Sequence, residues 1–73
     1  MTDQWQQGWQ DGYDFILKNF NPKTGCKVKR PDNVNNGFYE GEMYGRSVVW
    51  DKAYPNHKSI SWNSETKQYD VTY

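Results

Sequence analysis

The sequence predicts an α+β fold: one long amino-terminal amphipathic helix packed on an antiparallel sheet of three to five strands ending in a β-hairpin. Three observations carry it. Apolar residues recur at helical spacing through positions 5–20, turn residues crowd positions 21–37, and β-favouring aromatic and branched residues run from 38 to 73. The segments read as a single small domain over 1–73: a helix at about 3–20, a turn-rich basic segment at 21–37 and a β-meander at 38–73. At 73 residues and 8.7 kDa, one hydrophobic core is only marginally sufficient. Mean hydropathy is −1.20 and only 34% of residues are hydrophobic, yet 18% are aromatic and the net charge is zero. Disorder from low hydrophobicity normally accompanies high net charge and few aromatics. A folded chain with an aromatic core, and aromatic surface to spare, is the consistent reading.

The helix is the clearest element. Trp5, Trp9, Tyr13, Ile16, Leu17 and Phe20 share one broad stripe, opposed by Gln7, Gln10, Asp11, Asp14 and Lys18. Asp3 or Thr2 can cap its start, and Asn21-Pro22 ends it, since the residue before proline leaves the helical region. Gly8 and Gly12 lie inside it. Each costs about 1 kcal/mol against alanine, so they serve either close approach to the surface the helix packs on or a self-association and docking groove.

Residues 21–37 place turn chemistry on either side of a short run, Cys26–Lys29, that reads as an edge strand with outward lysines. Asn36-Gly37 suits a tight turn. Phe38–Tyr44 and Ser47–Lys52 read as strands joined at Gly45-Arg46, although Glu40, Glu42 and Met43 would also suit a helix. Tyr39-Glu40-Gly41-Glu42 resembles the core of a MORN repeat, but in one copy, where such repeats need several to bury a core.

At the carboxyl end, Ile60-Ser61-Trp62 and Tyr69-Asp70-Val71 flank Asn63–Gln68. The stretch from Trp62 to Thr72 resembles the second hairpin of the immunoglobulin-binding domains of protein G, over about a sixth of the chain. The resemblance concerns turn mechanics alone. It implies that Trp62 pairs with Tyr69 and Ile60 with Val71, that Lys67 takes the left-handed turn position, and that Trp62 is a buried aromatic.

No catalytic constellation stands out. His57 is a lone loop histidine, Cys26 a lone thiol beside Lys27, and Glu40 with Glu42 two carboxylates on a solvated face. Phosphate-binding loops, nucleophile elbows and dinucleotide fingerprints are missing from the sequence. No enzyme, no metal site and no cofactor is expected. One cysteine excludes an internal disulfide framework and a Cys-based zinc site, which points to a reducing, cytoplasmic setting. The sequence shows neither a membrane-spanning run nor a signal-peptide layout, so no membrane partner is expected.

Charge is segregated despite the zero total. Lys23, Lys27, Lys29 and Arg30 give residues 21–30 a local +4, while Asp32, Glu40 and Glu42 give residues 31–44 a local −3, before Arg46. Missing catalytic sets, surplus aromatics and segregated charge together predict a small non-enzymatic protein that docks onto a larger macromolecule as a protein-binding modulator or inhibitor. Such short, Trp-rich chains resemble accessory proteins of tailed bacteriophages that act in the host cytoplasm. The candidate binding residues are Lys27, Lys29, Arg30, Tyr39, Tyr44 and Trp50. Two alternatives stand beside this one. The basic run 23–30 and exposed aromatics could form a single-stranded nucleic-acid module, or the chain could be a self-assembling, homo-oligomeric subunit that uses the Gly8/Gly12 groove or the carboxyl-terminal edge strand.

Overall fold

The structure, a computed structural model, describes residues 2–73. In order it forms α1 (Thr2–Asn19), β1 (Phe20–Asn21), β2 (Gly25–Cys26), α2 (Asn36–Ala53), β3 (Ser59–Asn63) and β4 (Gln68–Thr72). The fold is α+β and begins with the expected long helix, but two corrections follow. The sheet is two separate two-stranded antiparallel sheets, β1–β2 and β3–β4, in place of three to five strands. Residues 36–53 are a second helix, so α1 packs chiefly on α2, and the meander expected at 38–73 is reduced to the final hairpin.

Glycine spacing explains the second helix. Gly37, Gly41 and Gly45 repeat every four residues along α2, as Gly8 and Gly12 do along α1, so each helix carries a groove without side chains on one face. A Cβ at Gly41 would strike the Trp9 carbonyl oxygen, one at Gly37 that of Trp5, and one at Gly12 that of Phe38. Trp5 therefore lies beside Gly37 and Trp9 beside Gly41, which makes the helices parallel, backbone against backbone. At such approach, Cα–H groups can face carbonyl oxygens across the seam. Close packing inside the chain is thus the use of Gly8 and Gly12, and the MORN-like Tyr39–Glu42 stretch is helical.

Asn35, where a tight turn is expected at Asn36-Gly37, instead starts α2. Its side chain accepts from Phe38 N at 3.1 Å, and its Nδ2 donates to the Gln4 carbonyl at 2.9 Å, tying both helix starts together. Ile16, Phe20 and Phe38 form the buried apolar core, with Phe15 against Phe38 at 5.7 Å. The expected Cys26–Lys29 strand ends at Cys26, because its partner β1 is only two residues long.

The β3–β4 hairpin has the expected register: Trp62 opposite Tyr69 and Ile60 opposite Val71, with Lys67 left-handed at φ 56°. Asn63 Oδ1 accepts from Glu65 N and Thr66 N, which fixes the turn. The hairpin docks through Tyr69, whose ring meets Phe20 and Trp50 and whose N–H donates to the Lys23 carbonyl at 2.7 Å. Trp62 is 50% exposed and packs edge-on against Tyr69, so its expected burial is corrected to half-burial.

Candidate functional site

Where two backbones meet through glycines, large rings have no room between them. On α1 the seam is held by Gly8, Gly12 and Ile16, and Trp5, Trp9, Tyr13 and Leu17 form an i, i+4 row beside it that drifts about 120° around the helix. Tyr44 joins them from α2. Trp9 and Tyr13 stack at 5.3 Å and 9°, and Tyr44 tilts against both at 5.5 and 5.7 Å. None of these rings is buried, with Tyr44 56% and Trp5 44% exposed, and the Leu17 side chain beside them is 43% exposed. The cluster is an aromatic ledge.

The opposite flank holds the basic segment. Arg30 reaches Glu42, donating from Nη2 to Oε1 at 2.6 Å and from Nε to Oε1 and Oε2 at 3.1 and 3.0 Å, while its guanidinium lies 4.6 Å from the Tyr39 ring centre. Hydrogen bonding to Glu42 raises the Arg30 pKa further above its already high ordinary value. Glu42 is buried and Arg30 is partly exposed, so the pair staples residues 27–34 to α2. The staple explains why an acidic side chain sits on the inner face of α2. Arg46, one turn after Glu42, lines the same cavity of about 350 Å³.

The six residues selected from the sequence divide among three places. Lys29, Arg30 and Tyr39 line one notch of about 390 Å³, with exposed Lys27 on the neighbouring segment. Tyr44 belongs to the aromatic ledge across the helix pair. Trp50 turns inward against Phe20 and Tyr69, with a buried indole N–H that has no partner among the described residues. The structure therefore does not assemble one basic-aromatic platform from the whole set. Trp5, Trp9 and Tyr13 were legible as a stripe, but their outward placement required knowing that the glycines occupy the seam.

Chemistry of other kinds has little support in the geometry. His57 Nδ1 donates to the Tyr54 carbonyl at 2.9 Å and lies 3.9 Å from Asp51. The exposed Cys26 thiol donates to the Val28 carbonyl at 3.2 Å. Among the described residues no group of three or more His, Cys, Asp or Glu could hold a metal ion, and no helix is long and apolar enough to cross a membrane. Compared with family models, curated proteins and solved structures, the chain matches none.

Proposed function

We propose that the chain is a small, non-enzymatic binding protein that docks onto another protein through the aromatic ledge of Trp5, Trp9, Tyr13, Leu17 and Tyr44. One observation carries this reading: three mutually packed rings stay unburied on one flank of a molecule too small to waste apolar surface. Tyr and Trp are the residues enriched where protein interfaces concentrate their binding energy. A modulator or inhibitor acting on a host protein in the cytoplasm, as accessory phage proteins do, is the role that compositional resemblance favours.

The nucleic-acid alternative rests on the notch of Lys29, Arg30 and Tyr39. It is the weaker reading, because the guanidinium that would grip a phosphate is already bonded to Glu42 and its aromatic platform is covered by that same guanidinium. Self-assembly through Gly8 and Gly12 loses its surface, since α2 occupies it.

Affinity capture with paired variants separates these readings. A protein partner held by the parent should be retained by Lys27→Ala/Lys29→Ala and lost, by about 100-fold or more, with Trp5→Ala/Tyr44→Ala. Oligonucleotide binding at low salt that falls with Lys27→Ala/Lys29→Ala and ignores the ring variant would replace the proposal with its rival.

A further inference from the structure

Resting on the docking reading, we infer that the element received by the aromatic ledge is a basic amphipathic helix of about three turns. The shape of the ledge sets the length. Trp5, Trp9, Tyr13 and Leu17 recur every four residues along α1, and twelve residues of helix at 1.5 Å each span about 18 Å. Tyr44 rises from the neighbouring helix, and Val48, half-buried, follows one turn later. Two parallel helices with an apolar flank between them offer the seat that a third helix fills in a bundle, and helix-in-groove recognition reads such a seat through anchors one turn apart.

Charge sets the sign of the partner. Glu40 lies one turn before Tyr44 and Asp51 two turns after it, and both are exposed. Of the helix cations, Lys18 and Arg46 are placed elsewhere. Lys18 lines the groove on the other side of α1, Arg46 faces the Glu42 cavity, and Lys52 stands in the last turn of α2. The basic segment cannot neutralise the ledge from within, because Arg30 binds Tyr39 and Glu42 on the opposite flank. Tyr39 and Tyr44 are five residues apart, about 140° around the helix. An incoming helix with Lys or Arg beside its apolar stripe meets carboxylates at its edges and ring faces suited to cations. A phosphate backbone would meet the same carboxylates and be repelled.

The test uses two synthetic helical peptides of fifteen residues with identical leucine patterns, one filled with Lys and one with Glu. Each is titrated against the full chain and followed by amide chemical shifts. The Leu/Lys peptide should bind at least about 10-fold tighter than the Leu/Glu peptide, with shifts centred on Trp9, Tyr13 and Tyr44. Glu40→Lys/Asp51→Lys should abolish or invert that preference, and Trp5→Ala/Tyr44→Ala should remove binding of either peptide. Equal binding of the two peptides, or preference for Leu/Glu, overturns the basic helix; if that binding still vanishes with Trp5→Ala/Tyr44→Ala, the ledge survives as a docking surface. Leu/Lys binding that persists without the rings, or shifts centred on Tyr39 and Lys29, overturns both readings.

Discussion

Replacing Gly12 with alanine adds one methyl group where two helix backbones touch. Its Cβ would fall 2.8 Å from the Phe38 carbonyl carbon and 3.0 Å from Phe38 Cα, with the carbonyl oxygen closer still. Carbon atoms are comfortable at about 3.5–4.0 Å, so the helices must separate by roughly 1 Å at this point. The neighbours there are backbone atoms and cannot swing aside like a flexible side chain. Separation loosens Ile16 and Phe38, two of the few buried apolar side chains. Overpacking of this kind costs about 1–3 kcal/mol, beyond which alanine returns about 1 kcal/mol in helix propensity. The net expectation is a loss of up to about 2 kcal/mol, and at about 4–8 °C per kcal/mol for a domain of this size the melting point should fall by up to about 15 °C. Thermal and urea unfolding followed by circular dichroism measure it, with exposed Ser47→Ala on α2 as a propensity control. Gly12→Leu should fall further. If the helices separate as a unit, Gly41→Ala will cost less in the Gly12→Ala background than alone. A Gly12→Ala protein that melts above the parent refutes the seam.

Arg30→Ala leaves the buried Glu42 carboxylate without its partner. Uncompensated buried charges cost about 3–5 kcal/mol, and the 44% exposure of the Arg30 side chain reduces the expectation to about 1–3 kcal/mol; adding Glu42→Gln should recover part of the loss in urea titrations. Because the Arg30 pKa is raised above its already high ordinary value, raising the pH from 7 to 10 should not by itself remove this stabilisation. Asn35→Ala removes a cap and the link to Gln4 and should cost about 1–2 kcal/mol, whereas Asn35→Asp, which keeps the cap alone, should cost less. Trp62→Ala should cost only about 1 kcal/mol and Trp50→Ala about 3 kcal/mol or more, an order that thermal melts will reverse if the hairpin docks through Trp62.

The first helix and the last hairpin were legible because their signals are local. Apolar spacing marks α1, and Asn63 with Lys67 marks the turn that sets the β3–β4 register. The second helix was not legible by the same means. Of its buried residues Gly37, Gly41 and Gly45 have no side chain and Glu42 is charged, leaving Phe38 as the apolar one, so it lacks a strong apolar stripe. Val48, Val49 and Trp50 also carry strand propensity, which tertiary packing overrides. The informative signal was the four-residue glycine spacing shared by both helices. The same seam hid the site: it turns the apolar stripe of α1 partly outward, so residues that read as core became the ledge. The basic run was visible as charge, but not its loss of Arg30 to Glu42, because that pair spans twelve positions in sequence and forms only once α2 is a helix.

Hydroxyl-radical footprinting of the captured complex tests the docking claim most directly, since Trp, Tyr and Met side chains report their own exposure on every face of the molecule. Protection should concentrate at Trp5, Trp9, Tyr13 and Tyr44, while Tyr39, Met43 and Trp62, all exposed in the free protein, keep their reactivity. Protection of Tyr39 and Met43 with Tyr44 left open would place the interface on the basic flank and contradict the account.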